Sequence, residues 1–139
     1  MIRLSRTIHF NAGLSLWRPD WTPERNRAVY GEEGPHGYGH NYTLEVAVAG
    51  EIDPGTAMVV NLTDLDRILK EEVDRPLDHR NLNRDVPDFA RTPPTAENVA
   101  AWIWKRVAAR LACEGWPCRL AHLRLTLTPE FAVEIEDNP

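Results

Sequence analysis

Apolar and polar side chains alternate along the start of the chain, with Ile2, Leu4, Ile8 and Phe10 on one side and Arg3, Ser5, Thr7 and His9 on the other. A repeat of two marks a half-buried β-strand, so the chain opens on β structure. The alternation returns from His40, where Tyr42, Leu44, Val46 and Val48 oppose Asn41, Thr43, Glu45 and Ala47. That run stops at Gly50 and the Asp53-Pro54-Gly55 turn. Between the two strands, Asn11 to Gly39 is rich in Gly, Pro, Trp and charge and holds no sustained period. It reads as a long loop, and a long loop in a compact domain borders a site.

The period then lengthens. Leu65, Ile68, Leu69 and Val73 fall at helical spacing, with Thr63 as the expected cap and closure before Pro76. A second helix is better marked. Pro93-Pro94 precede Thr95 as N-cap, Val99, Ile103, Val107 and Leu111 form one stripe flanked by Trp102 and Trp104, and Gly115 is the stop. Ala121, Leu123, Leu125 and Leu127, then Phe131, Val133 and Ile135, restore the repeat of two on either side of a tight turn at Pro129. The order strand, strand, helix, helix, strand, strand predicts an α+β fold, a four-stranded antiparallel sheet with both helices on one face. The length of 139 residues fits a single domain over 1–139.

Composition narrows the partners. Hydrophobic residues at 42% and charged ones at 27% are ordinary for a globular protein with a modest core. The balance of 16 basic against 21 acidic residues, without a Lys/Arg cluster, leaves no electrostatic footprint for nucleic acid. No stretch reaches membrane-spanning length and Met1 to Phe10 lacks the apolar run of a signal peptide, so no membrane partner and a cytoplasmic location are expected. Cys113 and Cys118 are too few for a disulfide framework and read as reduced thiols.

Two short stretches carry the chemistry: Gly37-Tyr38-Gly39-His40-Asn41-Tyr42 and Leu77-Asp78-His79-Arg80-Asn81-Leu82-Asn83. Together with Phe10-Asn11-Ala12, Gly50-Glu51-Ile52-Asp53-Pro54, Met58 to Leu65 and Pro94-Thr95-Ala96-Glu97-Asn98, they resemble the 6-pyruvoyltetrahydropterin and 6-carboxytetrahydropterin synthase family. The resemblance implies the tunnelling fold, in which sheets of several subunits join into a barrel, as trimers or hexamers, with sites at the interfaces. It also implies a zinc held by three histidines, one in a Phe-x-Ala-x-His pattern and two in a His-Gly-His.

Aligned on those motifs, the first position here is Leu14, the second is Tyr38, and only His40 remains of the metal ligands. Leucine has no donor atom, and a tyrosine must shed a proton of pKa about 10 before it ligates well. No cofactor is therefore expected, and zinc enters only if the site is rebuilt around His40 from His36 or His9. The bland readings are a loop histidine at 36, a His9 turned away from the Phe10 face, and a hydrogen-bonded wall residue at 40.

Other roles implied by the resemblance are altered too. The family's basic cysteine has no counterpart thiol, and Glu33, or Glu32 in the neighbouring register, stands there; a carboxylate can serve as a general base. The acid that would anchor a pterin's amino and amide hydrogens is replaced at Leu127-Thr128, which weakens ordinary pterin recognition. Asp78-His79 and Thr95-Ala96-Glu97-Asn98 match the family, the first as a proton relay and the second, with Tyr38, on the substrate side. Their structural alternatives are a backbone-binding segment with Asn81 and Asn83, and a helix start capped by Thr95.

Three functions follow as expectations. The favoured one is a paralogue that has lost the zinc lyase reaction and binds a pterin-like or purine-like heterocycle at a homo-oligomer interface. The alternative is an active lyase or aldolase on a dihydroneopterin-type substrate, metal-free or with a rebuilt site, using Asp78, His79 and Glu33. The third is a scaffold subunit that co-assembles with an active homologue and lends it Glu97.

Overall fold

The computed structural model describes residues 1–137, so the last two positions of the domain predicted over 1–139 lie outside the described residues. The first two strands are β1 (Ile2–Leu14) and β2 (Tyr38–Gly50), each 13 residues long, and they pair antiparallel from Ile2↔Gly50 to Leu14↔Tyr38. Both run beyond the alternating segments at their shared end, because Ala12 and Leu14 continue the buried face of Phe10. Strands β4 (Cys118–Thr128) and β5 (Phe131–Glu136) complete the antiparallel part, and these four lie in the order β1-β2-β4-β5.

The fifth strand, β3 (Arg80–Asn81), corrects the four-stranded expectation. It pairs parallel with Ala12 and Gly13 of β1 and is too short to show any periodicity. The loop between β1 and β2 is likewise only partly irregular. It contains α1 (Pro23–Tyr30), whose amphipathic pattern is weak because the helix rests on one buried polar residue, Asn26, rather than on an apolar stripe. The Asn26 side chain donates to the carbonyls of Arg18 and Thr22 and accepts from the Arg18 amide at 2.7 Å. Gly34 lets the loop close on α1, since a Cβ there would sit 2.8 Å from the Tyr30 carbonyl oxygen.

Helix α2 (Leu62–Leu69) is capped by Asn61, whose side chain accepts from the Thr63 amide, and not by Thr63, which lies inside the first turn. The helix also does not close before Pro76. It loosens into a π-turn over Lys70–Asp74 and ends as α3 (Arg75–Leu77), which contains the proline. Proline cannot donate to the carbonyl four residues back. Here that carbonyl belongs to Glu72, and it accepts instead from Nε of Arg106 at 3.1 Å.

A short helix α4 (Leu82–Asp85) follows, then α5 (Ala96–Glu114), capped by Thr95 and stopped by left-handed Gly115 as the sequence predicts. The predicted helical stripes are all buried: Leu65, Ile68, Leu69 and Val73 from α2 and its π-turn, and Val99, Ile103, Val107 and Leu111 from α5. They cover the sheet face that carries Phe10, Tyr42, Leu44, Leu123 and Leu125, giving one continuous core. Among the described residues, no helix is long and apolar enough to cross a membrane.

Replacing Asn26 by alanine strands the partly buried amide and carbonyl of Arg18. The expected cost is about 2 to 3 kcal/mol in urea unfolding. A change within the error of the measurement would show that the loop does not depend on this residue.

Candidate functional site

The site grows from the register of β1 and β2. Ala12 faces His40 and Leu14 faces Tyr38 across the ladder, so side chains 12, 14, 38 and 40 share the core-facing side of the sheet at its open end. From there an aromatic ladder descends into the core. Tyr38 meets His40 edge-on at 5.3 Å, His40 meets Tyr42 at 5.4 Å, and Tyr42 stacks on Phe10 at 4.7 Å. A cavity of about 340 Å³ lies against this ladder. Leu14 and Leu127 supply apolar wall, Phe131 reaches in from β5, and Thr95 and Glu97 border it from the start of α5.

Burial holds the His40 imidazole below its ordinary pKa, so the ring is neutral near pH 7. Burial also pushes the Tyr42 phenol up, with Tyr38 adding to the effect. The expected hydrogen bond to His40 is absent among the described residues, because the ring is packed between two phenols instead.

The second stretch is fastened to the outer edge of β1. The Asn11 amide donates to Oδ1 of Asp78 at 2.9 Å, and the Asn11 carbonyl accepts from the His79 amide at 2.6 Å. Strand β3 continues the docking, and Asn83 ends it by accepting from the amide and donating to the carbonyl of Ser15. Asn81 caps α4 through the Arg84 amide. The backbone-binding role read from this motif is therefore present in full.

Asp78 also faces Nδ1 of His79 at 2.9 Å. The carboxyl is held below the ordinary carboxylate range, first by the Asn11 amide and then by His79. His79 adopts φ +58, a left-handed conformation uncommon outside glycine, and its side chain is 77% exposed. With Arg80 it borders a cleft of about 360 Å³ whose other walls include Asn11, Gly13, Gly39, His40 and Asn41. His40 thus belongs to both the cavity and the cleft.

Other predicted residues are not gathered here. Glu33 is exposed in the turn after α1, where its carbonyl accepts from the His36 amide, and neither residue lines the cavity or the cleft. His9 points to the opposite face of the sheet, as expected, and bonds Oγ1 of Thr43 at 3.1 Å.

The sequence profile of the 6-pyruvoyl tetrahydropterin synthase family matches residues 3–138. The chain belongs to this family. Relatives include 6-pyruvoyl tetrahydrobiopterin synthase of Homo sapiens, 47% identical over 103 residues and covering 73% of this chain and 71% of that protein. Another is dihydroneopterin monophosphate aldolase of Pyrococcus furiosus, 38% identical over 109 residues, covering 78% of this chain and 86% of that protein. The solved 6-pyruvoyl tetrahydropterin synthase of Caenorhabditis elegans shares the fold, with a TM-score of 0.87 at 27% identity over 99% of this chain and 96% of that one.

The positions to which the family resemblance assigns zinc lie together on one face of the sheet, as Leu14, Tyr38 and His40. Among the described residues no three His, Cys, Asp or Glu side chains are grouped so as to hold a metal ion. A single neutral imidazole beside a leucine and a phenol does not fit zinc. The sequence did not point to Leu16, Tyr42, Pro94 or Phe131 as cavity walls. Tyr42 and Pro94 stood within the motifs singled out there, and Phe131 left a signal as an aromatic residue at the start of an edge strand.

Asp78 makes stability depend on pH in a definite direction. Because its pKa is depressed in the fold, its contribution is complete above the ordinary value of about 3.9 and disappears as the pH falls through the lower folded value. Asp78→Asn should lack this acid limb in urea midpoints followed from neutral pH downward. Parallel curves for the two proteins would rule the linkage out.

Proposed function

We propose that this member of the synthase family binds a pterin-like or purine-like heterocycle in the cavity beside His40 and has lost the zinc-dependent lyase reaction. The observation that carries this reading is the Leu14–Tyr38 pair lying next to His40, where the family resemblance puts three imidazoles. Tyr38, His40, Tyr42 and Phe131 offer ring surfaces for a planar ligand, and Thr95 and Glu97 offer polar groups to orient it. Relatives named for a tetrahydrobiopterin synthase and a dihydroneopterin aldolase support a ligand of the pterin class.

Among the described residues the outer edge of β5 is unpaired, and β1 is covered on its outer side near Asn11, Ala12 and Gly13, with no strand beside the rest of its length. Two open edges support closure of a barrel between copies, as a trimer or hexamer with the cavity at the interface.

The chain's own residues suffice to bind and orient, but the electrophile is missing. Stabilisation of a developing oxyanion by a metal contributes several kcal/mol, which a neutral imidazole does not supply. A second reading has one observation in its favour: His79, paired with Asp78 at 2.9 Å, borders the same cleft as His40. In that reading the pair moves a proton in a metal-free lyase or aldolase step. Glu33 as its partner base would have to come from another subunit.

The purified protein should carry far less than one zinc per chain by elemental analysis, bind neopterin by fluorescence titration, and leave dihydroneopterin triphosphate intact. The double substitution Leu14→His, Tyr38→His should create a stoichiometric zinc site, with X-ray absorption showing nitrogen ligands at about 2.0 to 2.1 Å. Full zinc in the wild type sinks the proposal. Rapid triphosphate release that His79→Ala abolishes decides for the second reading.

A further inference from the structure

A different concavity, of about 380 Å³, opens beside α3 and against α5, and its charge is opposite to that of the protein. Arg75, Arg80 and Arg106 line it with Asp85 as the single acid, in a chain whose formal net charge is -5. Gathering three guanidinium groups around one hollow focuses positive potential there. Asp85, which accepts from the Asn81 amide at 2.8 Å and faces Nε of Arg84, offsets only one of the three cations.

Arg106 is held rigidly at the back of the hollow. Its Nη2 lies 2.8 Å from Oε2 of Glu72, its Nε donates to the Glu72 carbonyl, and its guanidinium lies over the Trp102 ring at 4.6 Å. Trp102 is itself fixed by donating to Asp88 at 2.7 Å. Nη1 of Arg106 has no protein partner among the described residues, and neither Arg75 nor Arg80 enters an ion pair among them. A planar, pre-oriented guanidinium with two further cations at hand suits the oxygens of a phosphate, which takes parallel N–H donors. Arg106 lies over one face of Trp102, and Phe89 packs against the ring at a tilt with centroids 6.0 Å apart.

We propose that the Arg75–Arg80–Arg106 hollow is a binding site for a phosphate or polyphosphate group. Arg80 also lines the His40–His79 cleft, so the hollow and the cleft share a wall. The phosphate can therefore belong either to a ligand seated in the cleft or to a separate phosphate-bearing metabolite. Phosphate binding here holds whether or not the His40 cavity takes a heterocycle.

The test is calorimetric titration of the full-length protein with inorganic pyrophosphate at low salt. The expected result is saturable binding, weakened by about tenfold or more in Arg75→Ala, Arg80→Ala and by a smaller factor in Arg106→Lys, which keeps charge but loses the fork. Arg3→Ala, on the first strand and outside the hollow, should bind as the wild type does. Equal binding in the double variant and the wild type, or no binding at millimolar pyrophosphate, overturns the proposal. Two further titrations separate the sources. If the phosphate is a ligand's tail, dihydroneopterin monophosphate binds more tightly than dihydroneopterin, the double variant removes that margin, and the monophosphate displaces pyrophosphate. If it is a separate metabolite, pyrophosphate binds unchanged with the cleft saturated by dihydroneopterin.

Discussion

The thirteen-residue ladder between β1 and β2 is the constraint on which the other features rest. In a two-residue repeat, a slip of one position would send Phe10, Ala12 and Leu14 to the opposite face and bring Asn11 and Gly13 into the core. The stack of Phe10 on Tyr42 resists such a slip, because both rings are almost wholly buried and directly opposed. The same register puts Leu14, Tyr38 and His40 on one wall. It also leaves the outer edge of β1 open at Asn11, where the chain returns after α3.

That return shows how one motif serves two purposes. Asp78, Asn81 and Asn83 each satisfy backbone groups, so most of the Leu77–Asn83 segment is explained by folding alone. His79 is not. Its amide docks on Asn11, but a glycine would reach the left-handed conformation at less cost, and among the described residues its exposed ring takes Asp78 as its polar partner. The imidazole is the part of the motif that folding leaves available for chemistry, and it stands at a cleft shared with His40.

Rings and apolar side chains dominate the cavity. A leucine, two phenols and one neutral histidine stand there rather than a set of metal donors. Leu127 belongs to the same wall, since it both completes the buried stripe of β4 and lines the cavity. Positive charge is instead concentrated at the arginines beside α5.

Periodicity alone determined the four long strands, the buried stripes of α2 and α5, the Thr95 cap and the Gly115 stop, because each depends on side-chain spacing or a local backbone preference. The positions to which the family resemblance assigns zinc were legible for the same reason: Leu14, Tyr38 and His40 are offsets within motifs. Long-range pairing decided the remainder. β3 exists only because β1 offers an edge, α1 is held by the buried amide of Asn26, and Pro76 stays helical because Arg106, thirty residues on, takes the carbonyl the proline cannot serve. The placement of Glu33 outside both cavities, and the meeting of Arg75, Arg80 and Arg106, likewise depend on how distant segments pack, which no local pattern records.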